Sequence, residues 1–252
     1  MSSGQPAGGG PGDRGQASHQ WGEGILFRVT NQVYWLLATE VFLVFASLPL
    51  VLALLFLDRD ASNAILYAAA AVFLGPALAA TLHCMRKISR EGELDPARDF
   101  IRGYRLNVVD TLTYWVPSVA VLTMLVLNLM HPGTGHPWDG ALQIATLCLA
   151  ALGSLWLMNM LAISTSFTFR SRDLARLSAY YLGKALRITL GNVSVLFLVA
   201  VLLLLTSDWV LLLFGSLFVN LFASNTADLV TRVQSRFTRP DGGATSIENA
   251  TK

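Results

Sequence analysis

The sequence predicts an all-α fold: a polytopic transmembrane helical bundle with six spans. Hydrophobic residues make up 54% of the 252 residues and charged residues only 13%, whereas charged residues form about a quarter of a typical soluble domain. The apolar residues fall in runs of roughly 20, the length that crosses ~30 Å of hydrocarbon as a helix. These runs lack the alternation of apolar and polar residues that is typical of transmembrane barrel strands. A helical membrane protein is therefore predicted.

Six apolar runs are bounded by polar turns or basic loops, and each is interpreted as one span. Their approximate limits are 33–57, 64–85, 108–130, 141–169, 188–206 and 209–229. The last two come from one apolar stretch that is twice as long as a membrane requires, and Thr206, Ser207 and Asp208 divide it. The six-helix domain is predicted to cover 21–231. Residues 1–20 are predicted to be a disordered tail, and 232–252 a polar cytoplasmic tail.

The basic residues predict the orientation in the membrane. They concentrate in two loops and after the last span: Arg86, Lys87, Arg90, Arg98, Arg102 and Arg105; Arg170, Arg172, Arg176, Lys184 and Arg187; Arg232, Arg236 and Arg239. The opposite loops contain Arg59 as their single basic residue. Because basic loops stay in the cytoplasm, we expect a plasma-membrane protein with both termini cytoplasmic, surrounded by the lipid bilayer. The oligomeric state is left open.

Several function classes find no support in the residues. A net charge of +2 is too small to predict a nucleic-acid partner. Cys84 and Cys148 both lie in apolar runs, so no CxxC metal or redox motif is present. His131, His136 and Asp139 share one turn, but their spacing matches no standard metal site. No catalytic motif such as G-x-S-x-G or H-E-x-x-H occurs. The sequence predicts a protein that is not an enzyme and binds no cofactor or metal.

Five polar residues inside the predicted spans form a candidate intramembrane polar site: Glu40, Asn159, Asn220, Ser224 and Asp228. Glu40 lies about two turns into the first span, where a carboxylate is costly unless it faces a cavity or a partner. It is either a proton or cation site or a counter-charge for a basic inner-loop residue, or it is a protonated or hydrogen-bonded structural acid near the interface. Ser216, Asn220, Ser224 and Asp228 follow i, i+4 spacing on one helix face. They either line a hydrated pathway or bond helix to helix.

The first basic loop contains a candidate interaction surface. Asp95 and Pro96 are good residues to begin a helix. Phe100 and Tyr104 then lie four residues apart on one face. Their neighbours complete the surface: Arg98, Arg102, Arg105 and Asn107. A short interfacial helix running into the third span is predicted, which binds anionic lipid or a partner, or serves only as a basic topological loop.

The two basic loops also share a weak pattern. Each combines a long apolar helix, an arginine-rich loop, an aromatic amphipathic segment and an asparagine, Asn107 in one and Asn192 in the other. This pattern is explained either by an internal duplication or by the similar composition that any two cytoplasmic loops of a six-helix protein have.

One stretch resembles a known family. Its features are Gly75-Pro76-Ala77-Leu78-Ala79-Ala80, Arg86-Lys87, Glu91-Gly92-Glu93, Asp99-Phe100 and Tyr104-Arg105-Leu106-Asn107. These residues resemble the core of the YesL-like family, a bacterial membrane domain of unknown function. The family usually carries asparagine about where Glu40 lies, so no role is carried over to that position.

The resemblance implies an accessory or regulatory role in carbohydrate uptake, because family members are often encoded beside sugar transporters. Sugar-transporter subunits are then the expected partners, meeting the helix around 100–107. The alternative function is a small-solute or proton-coupled transporter or channel that uses Glu40 and the polar faces of spans four and six.

Overall fold

The computed structural model describes residues 14–91, 95–130, 133, 135–167, 170–205 and 208–237. Within these ranges the chain forms α-helices, one short 3₁₀ turn at Ala61–Asn63, and no strand, so the predicted all-α class is confirmed. The helices are α1 (Arg14–Ala46), α2 (Leu48–Phe56), α3 (Ala64–Ala71), α4 (Leu74–Glu91), α5 (Pro96–Met130), α6 (Asp139–Ser164), α7 (Ser171–Lys184), α8 (Leu186–Leu205) and α9 (Asp208–Phe237).

Four segments among the described residues are long and apolar enough to cross a membrane: Val29–Ala46, Pro96–Met130, Asp139–Ser164 and Leu213–Thr231. Two bent pairs raise the number to six if each pair is one span. One pair, Ala61–Ala71 with Leu74–Arg90, bends by 41°, and the other, Ser171–Lys184 with Leu186–Leu202, bends by 97°. The chain is therefore a membrane protein with four to six candidate spans.

The first predicted span is not one continuous helix. It breaks at Ser47, between α1 and α2. Pro49 has no N–H to donate to the carbonyl of Phe45, and its ring crowds that carbonyl, so a regular helix does not continue. Both the backbone N–H and the hydroxyl of Ser47 donate to the carbonyl of Leu43, at 3.0 and 2.7 Å. The proline, which sequence reasoning passed over, explains the difference.

The second predicted span is kinked just before Gly75 and Pro76. Pro76 has no N–H for the carbonyl of Val72, and the chain bends between α3 and α4. The Trp115 indole N–H donates to the carbonyl of Ala71 at 2.9 Å, where α3 ends. A Cβ on Gly75 would lie 2.5 Å from Trp115 Cγ. The glycine therefore permits the ring to pack directly on the α4 backbone.

The inner-loop helix runs into span three as one helix, α5, as predicted. Two predicted boundaries differ from the observed helices. Helix α9 continues to Phe237, and Val233 is fully buried, so the predicted tail 232–252 begins as packed helix. Helix α1 begins at Arg14, within the predicted disordered tail, since extending a formed helix is favourable. Residues 1–13 and 238–252 lie outside the described residues.

The helices alternate in direction, which gives the bundle two distinct ends. We call the end that holds the α4–α5 connection, α7 and the last turns of α9 the arginine-rich end. The end that holds the turns after α2 and α5 is the turn end. At the arginine-rich end, small or short side chains of α4 are fully buried: Ala77, Ala79, Ala80, Thr81, Leu82 and Cys84. Small side chains let helices approach closely, so α4 forms the packed centre of this end.

Candidate functional site

A cavity of about 730 Å³ lies in the half of the bundle toward the turn end. Its walls come from α1 to α6, α8 and α9, and are mainly leucine, valine, alanine and aromatic side chains. The polar or charged residues among the lining are Glu40, Ser47, Arg59, Asp60, Tyr67, Thr123 and Ser154. A volume of this size falls in the range of about 300–1,000 Å³ that is typical of small-molecule sites.

The hydroxyl groups of the lining are bonded within the protein. Ser47 donates to the carbonyl of Leu43 at 2.7 Å, and Tyr67 to the carbonyl of Leu57 at 2.8 Å. Thr123 and Ser154 each donate at 2.8 Å to the carbonyl four residues earlier in their own helix. Each of these four hydroxyls therefore uses its hydrogen-bond donor on a backbone carbonyl. The rest of the wall around them is mainly apolar.

Glu40 is the buried charged residue of the cavity wall, with 6% of its surface exposed. Its Oε1 accepts the backbone N–H of Gly215 at 3.1 Å, and its Oε2 accepts the backbone N–H of Ser216. Both N–H groups belong to α9, where a regular helix would direct them to carbonyls four residues earlier. The Ser216 hydroxyl returns a bond to the carbonyl of Leu36 in α1, at 3.0 Å. The α1–α9 contact is thus polar and centred on one carboxylate.

Gly215 makes this contact possible. A Cβ at this position would lie 3.0 Å from Glu40 Oε1 and 3.0 Å from Leu43 Cδ2. Both distances are shorter than ordinary van der Waals contacts, so a side chain here requires Glu40 and Leu43 to shift by a few tenths of an ångström. The sequence did not predict this contact. The available signal was a glycine inside the last apolar run together with an acid inside the first.

A second charged part of the wall is the turn after α2, where Arg59 and Asp60 lie next to each other and are exposed. The Ser62 hydroxyl and the backbone N–H of Ala61 both donate to the Asp60 carboxylate, at 2.8 Å each. These bonds hold the pKa of Asp60 below its usual range. Asp60 is therefore ionised at neutral pH, beside an arginine of opposite charge.

The structure does not bring the five residues of the predicted polar site together. Glu40 lies at the cavity, whereas Asn159, 2% exposed, lies in a separate chain of amides. Asn220 is half-buried, and Ser224 is exposed and donates to the carbonyl of Asn220 at 2.9 Å. Asp228 is also exposed. Residues spaced by four turn gradually around a helix of 3.6 residues per turn, so the stripe leaves the interior as it approaches the arginine-rich end.

The chain of amides links three helices. Asn192 of α8 donates to Asn159 Oδ1 of α6 at 3.1 Å, and Asn225 of α9 donates to Asn192 Oδ1 at 2.8 Å. Asn225 also donates to the carbonyl of Ile188 at 2.9 Å. Gly191 leaves the space for Asn225, which a Cβ would overlap. The chain bonds helix to helix rather than lining the cavity.

The predicted interaction surface at the start of α5 is divided by the fold. Phe100 is 5% exposed and packs against Ala80 and Cys84, with its ring 5.6 Å from that of Phe42. Tyr104 and Asn107 are half-buried, and Asn107 donates to the carbonyl of Gly103 at 2.8 Å. Arg98, Arg102 and Arg105 are exposed. The aromatic ring of Phe100 therefore packs inside the protein, and the exposed part of the surface is basic.

Two further features of the arginine-rich end were not predicted. The Arg86 guanidinium donates to the hydroxyls of Thr165 and Ser166 and, at 2.8 Å, to the carbonyl of Ala162. It thereby caps the C-terminal turn of α6, where unpaired carbonyls carry partial negative charge. In the sequence, this contact is indicated only by the positions of the residues, since Arg86 lies at the end of one predicted span and Thr165 and Ser166 near the end of another.

The second feature is α7, which meets α8 at 97°. Leu174, Ser178 and Tyr181 are buried at i, i+4 and i+7, and Trp156 of α6 donates its indole N–H to the carbonyl of Ala175 at 3.0 Å. The outward face carries exposed Arg172 and Arg176. The i, i+4, i+7 spacing identifies this amphipathic helix in the second basic loop.

Among the described residues, no group of three histidine, cysteine, aspartate or glutamate side chains is placed to hold a metal ion. Compared with protein-family models, with curated proteins and with solved structures, the chain has no match in any of the three. The resemblance to the YesL-like family therefore remains a prediction.

Proposed function

We propose that this protein is a non-enzymatic plasma-membrane protein that binds a largely hydrocarbon molecule in the cavity between its helices. The observation that carries the proposal is the cavity of about 730 Å³, with its apolar wall and one buried carboxylate. Water in such a cavity finds few hydrogen-bond partners. A guest with an apolar body replaces it without losing polar contacts.

The membrane topology proposed for it has six spans and both termini in the cytoplasm. The concentration of arginine at one end supports this orientation. If α8 crosses the membrane, its 97° angle to α7 sets α7 along the membrane surface, with Arg172 and Arg176 available to water and headgroups. The 41° bend between α3 and α4 is a sharp kink of the kind that proline produces, and we propose that the two helices form one kinked span.

A sugar fits this cavity poorly. Each sugar hydroxyl that leaves water needs a new hydrogen-bond partner, and four hydroxyls of the wall already donate to backbone carbonyls. The accessory role in carbohydrate uptake rests on the family resemblance. If that role exists, the exposed arginines Arg98, Arg102 and Arg105 form the surface for a transporter subunit, and capture of such subunits from native membranes tests it.

The binding proposal is tested by the molecules that remain with the protein during purification. The Ala68→Phe variant places a ring into the cavity, whose wall includes Ala68. The control Ala145→Phe adds the same ring at an exposed position of α6. We expect mass spectrometry to find a bound lipophilic molecule in the wild type and the control, and much less in Ala68→Phe. Equal retention in all three proteins would contradict the proposal.

Transport is the second candidate, favoured because Glu40 borders the cavity. A carrier uses an intramembrane acid to exchange a proton or a cation with its substrate. Purified protein in liposomes is then expected to move the bound molecule or protons, and Glu40→Gln to slow that flux. Flux that is unchanged in Glu40→Gln would remove this residue from the mechanism.

A further inference from the structure

We infer that the molecule bound in the cavity carries an amine or quaternary ammonium group, which pairs with Glu40. The inference rests on the proposed binding function and names the chemical class of its ligand: a lipophilic cation. It follows from the charge that Glu40 places in the wall, from the groups that bond to it, and from the aromatic rings around the same space.

The carboxylate of Glu40 is incompletely compensated. Among the described residues, its hydrogen-bond partners are neutral groups of α9, the backbone amides of Gly215 and Ser216 with the Ser216 hydroxyl beside them, rather than a lysine or an arginine. Both amides lie inside α9, which begins at Asp208, so neither is at the positive end of the helix. A carboxylate accepts about four hydrogen bonds, so part of its capacity is open. An intramembrane acid in this state favours a positive partner.

The remainder of the wall adds no second net charge. Arg59 and Asp60 lie side by side in one turn, and their formal charges cancel. A cation in the cavity is therefore attracted by Glu40 with no buried positive residue of the wall opposing it. An anionic guest, such as a fatty acid, would bring its charge toward that of Glu40.

The aromatic residues of the wall favour the same class of ligand. Tyr67, Trp115, Phe218 and Phe222 line the cavity together with Glu40. Aromatic faces attract ammonium groups, and tryptophan and tyrosine recognise quaternary ammonium in binding sites generally. The leucine and valine side chains of the wall then hold the hydrocarbon part by dispersion contacts.

Equilibrium binding to three ligands of equal chain length tests the inference. The protein is placed in nanodiscs of zwitterionic lipid, and the ligands are dodecyltrimethylammonium, dodecanol and dodecanoate, with empty nanodiscs correcting for partition into the bilayer. We expect the cation to bind the wild type about tenfold tighter than dodecanol, the effect of one charge-assisted contact. Dodecanoate is expected to bind weakest.

The variants separate charge from shape. Glu40→Gln keeps the size of the side chain and is expected to remove the preference for the cation while dodecanol still binds. Asp228→Asn, an equivalent change at an exposed acid of α9, is expected to keep the preference. If Glu40→Gln fails to fold, the ranking of the three ligands on the wild type decides alone.

The outcomes distinguish this inference from the binding proposal. Equal affinity for all three ligands, or tightest binding of dodecanoate, overturns the cationic ligand and leaves the cavity as a binding site if Ala68→Phe weakens all three. No binding of any of the ligands to the wild type overturns both.

Discussion

The two ends of the bundle differ in how closely their helices pack. In the closely packed part, seven of the nine residues of α4 from Pro76 to Cys84 are fully buried, and hydrogen bonds of polar side chains connect the helices at the arginine-rich end. Toward the turn end, the same helices separate around the cavity, whose wall is mainly apolar apart from the polar contact of Glu40 with α9. The close packing is due to small residues, because Ala77, Ala79 and Ala80 let the helix backbones approach each other. The separation around the cavity is associated with the helix breaks at Ser47 and Val72, each of which changes the direction of the chain on the side of the turn end.

The difference indicates how each end contributes to the structure. The closely packed end, which carries the basic loops, holds the helices in place relative to one another. The cavity toward the turn end leaves space between the helices while their packing at the other end is kept. Substitutions therefore have different consequences at the two ends, and the expectations below run from the largest effect to the smallest.

Adding the same bulk at each end gives the largest contrast. Ala80→Leu places three extra carbons at a fully buried position beside Phe100 and Cys84. We expect it to lower the free energy of unfolding by about 3 kcal/mol, as overpacking a filled core does. Ala68→Leu adds the same carbons toward the cavity and is expected to change stability by less than about 0.5 kcal/mol. Unfolding titrations in mixed micelles measure both, and equal losses would mean that the ends do not differ in packing.

Removing the cap of α6 is expected to have the next largest effect. Arg86→Met deletes three hydrogen bonds from a charged donor to Thr165, Ser166 and Ala162, and we expect a loss of about 2–3 kcal/mol. Arg86→Lys keeps the charge without the planar fork and is expected to recover part of it. Arg90→Met, at an exposed position one turn later, is the control. A similar loss in Arg90→Met would point to total charge rather than to the cap.

A single methyl group tests the junction between the ends. Gly75→Ala brings a Cβ against the Trp115 ring, and we expect it to cost about 2 kcal/mol and to shift the fluorescence of the indole. In Gly153→Ala the nearest atom to the new Cβ is Leu122 Cδ2 at 3.6 Å, an ordinary contact. This variant is expected to be neutral or slightly stabilising, because alanine is the better helix former. Matching losses would show that glycine is needed for flexibility and not for space.

The amide chain gives the smallest expected effect. Asn192→Ala removes the central member and leaves Asn159 and Asn225 without their shared partner. Hydrogen bonds between transmembrane helices are modest, so we expect a loss of about 1–2 kcal/mol. Asn107→Ala breaks one bond within its own helix and is expected to cost less. Unfolding titrations measure both variants, and a larger loss in Asn107→Ala would contradict the interhelical role of Asn192.

The comparison of Asn107 with Asn192 also bears on the proposed internal repeat. Both follow an aromatic, basic segment, and in sequence they look equivalent. In the structure one bonds locally to Gly103 while the other joins three helices. The segments before them differ as well, because the first is continuous with α5, whereas the second is α7, set at 97° to α8. These asparagines are therefore not structural counterparts, and duplication remains a prediction without support from them.

The helical class and the membrane-spanning segments were predictable, because the length of an apolar run is a local property of the sequence. The kink at Pro76 was predictable for the same reason, since proline acts on the carbonyl four residues earlier. A hydrogen-bonded acid was one of the alternatives predicted for Glu40. Its partners were not, because Gly215 and Ser216 lie 175 and 176 residues away. The cavity could not be predicted either, because its wall combines residues of eight helices that are distant in the sequence.

The bond between Glu40 and α9 has a consequence for the depth of the cavity. The carboxylate accepts hydrogen bonds from two consecutive backbone amides of α9. Because Gly215 has no side chain, α1 and α9 contact each other directly at this level, and this contact marks one end of the cavity. If the proposed cationic ligand binds here, the leucine and valine side chains of the wall contact its hydrocarbon chain by dispersion. The cavity would then select ligands by their length, measured from the charged head to the end of the chain. Within a homologous series, affinity is expected to rise with each added carbon until the chain fills the cavity, and then to level off.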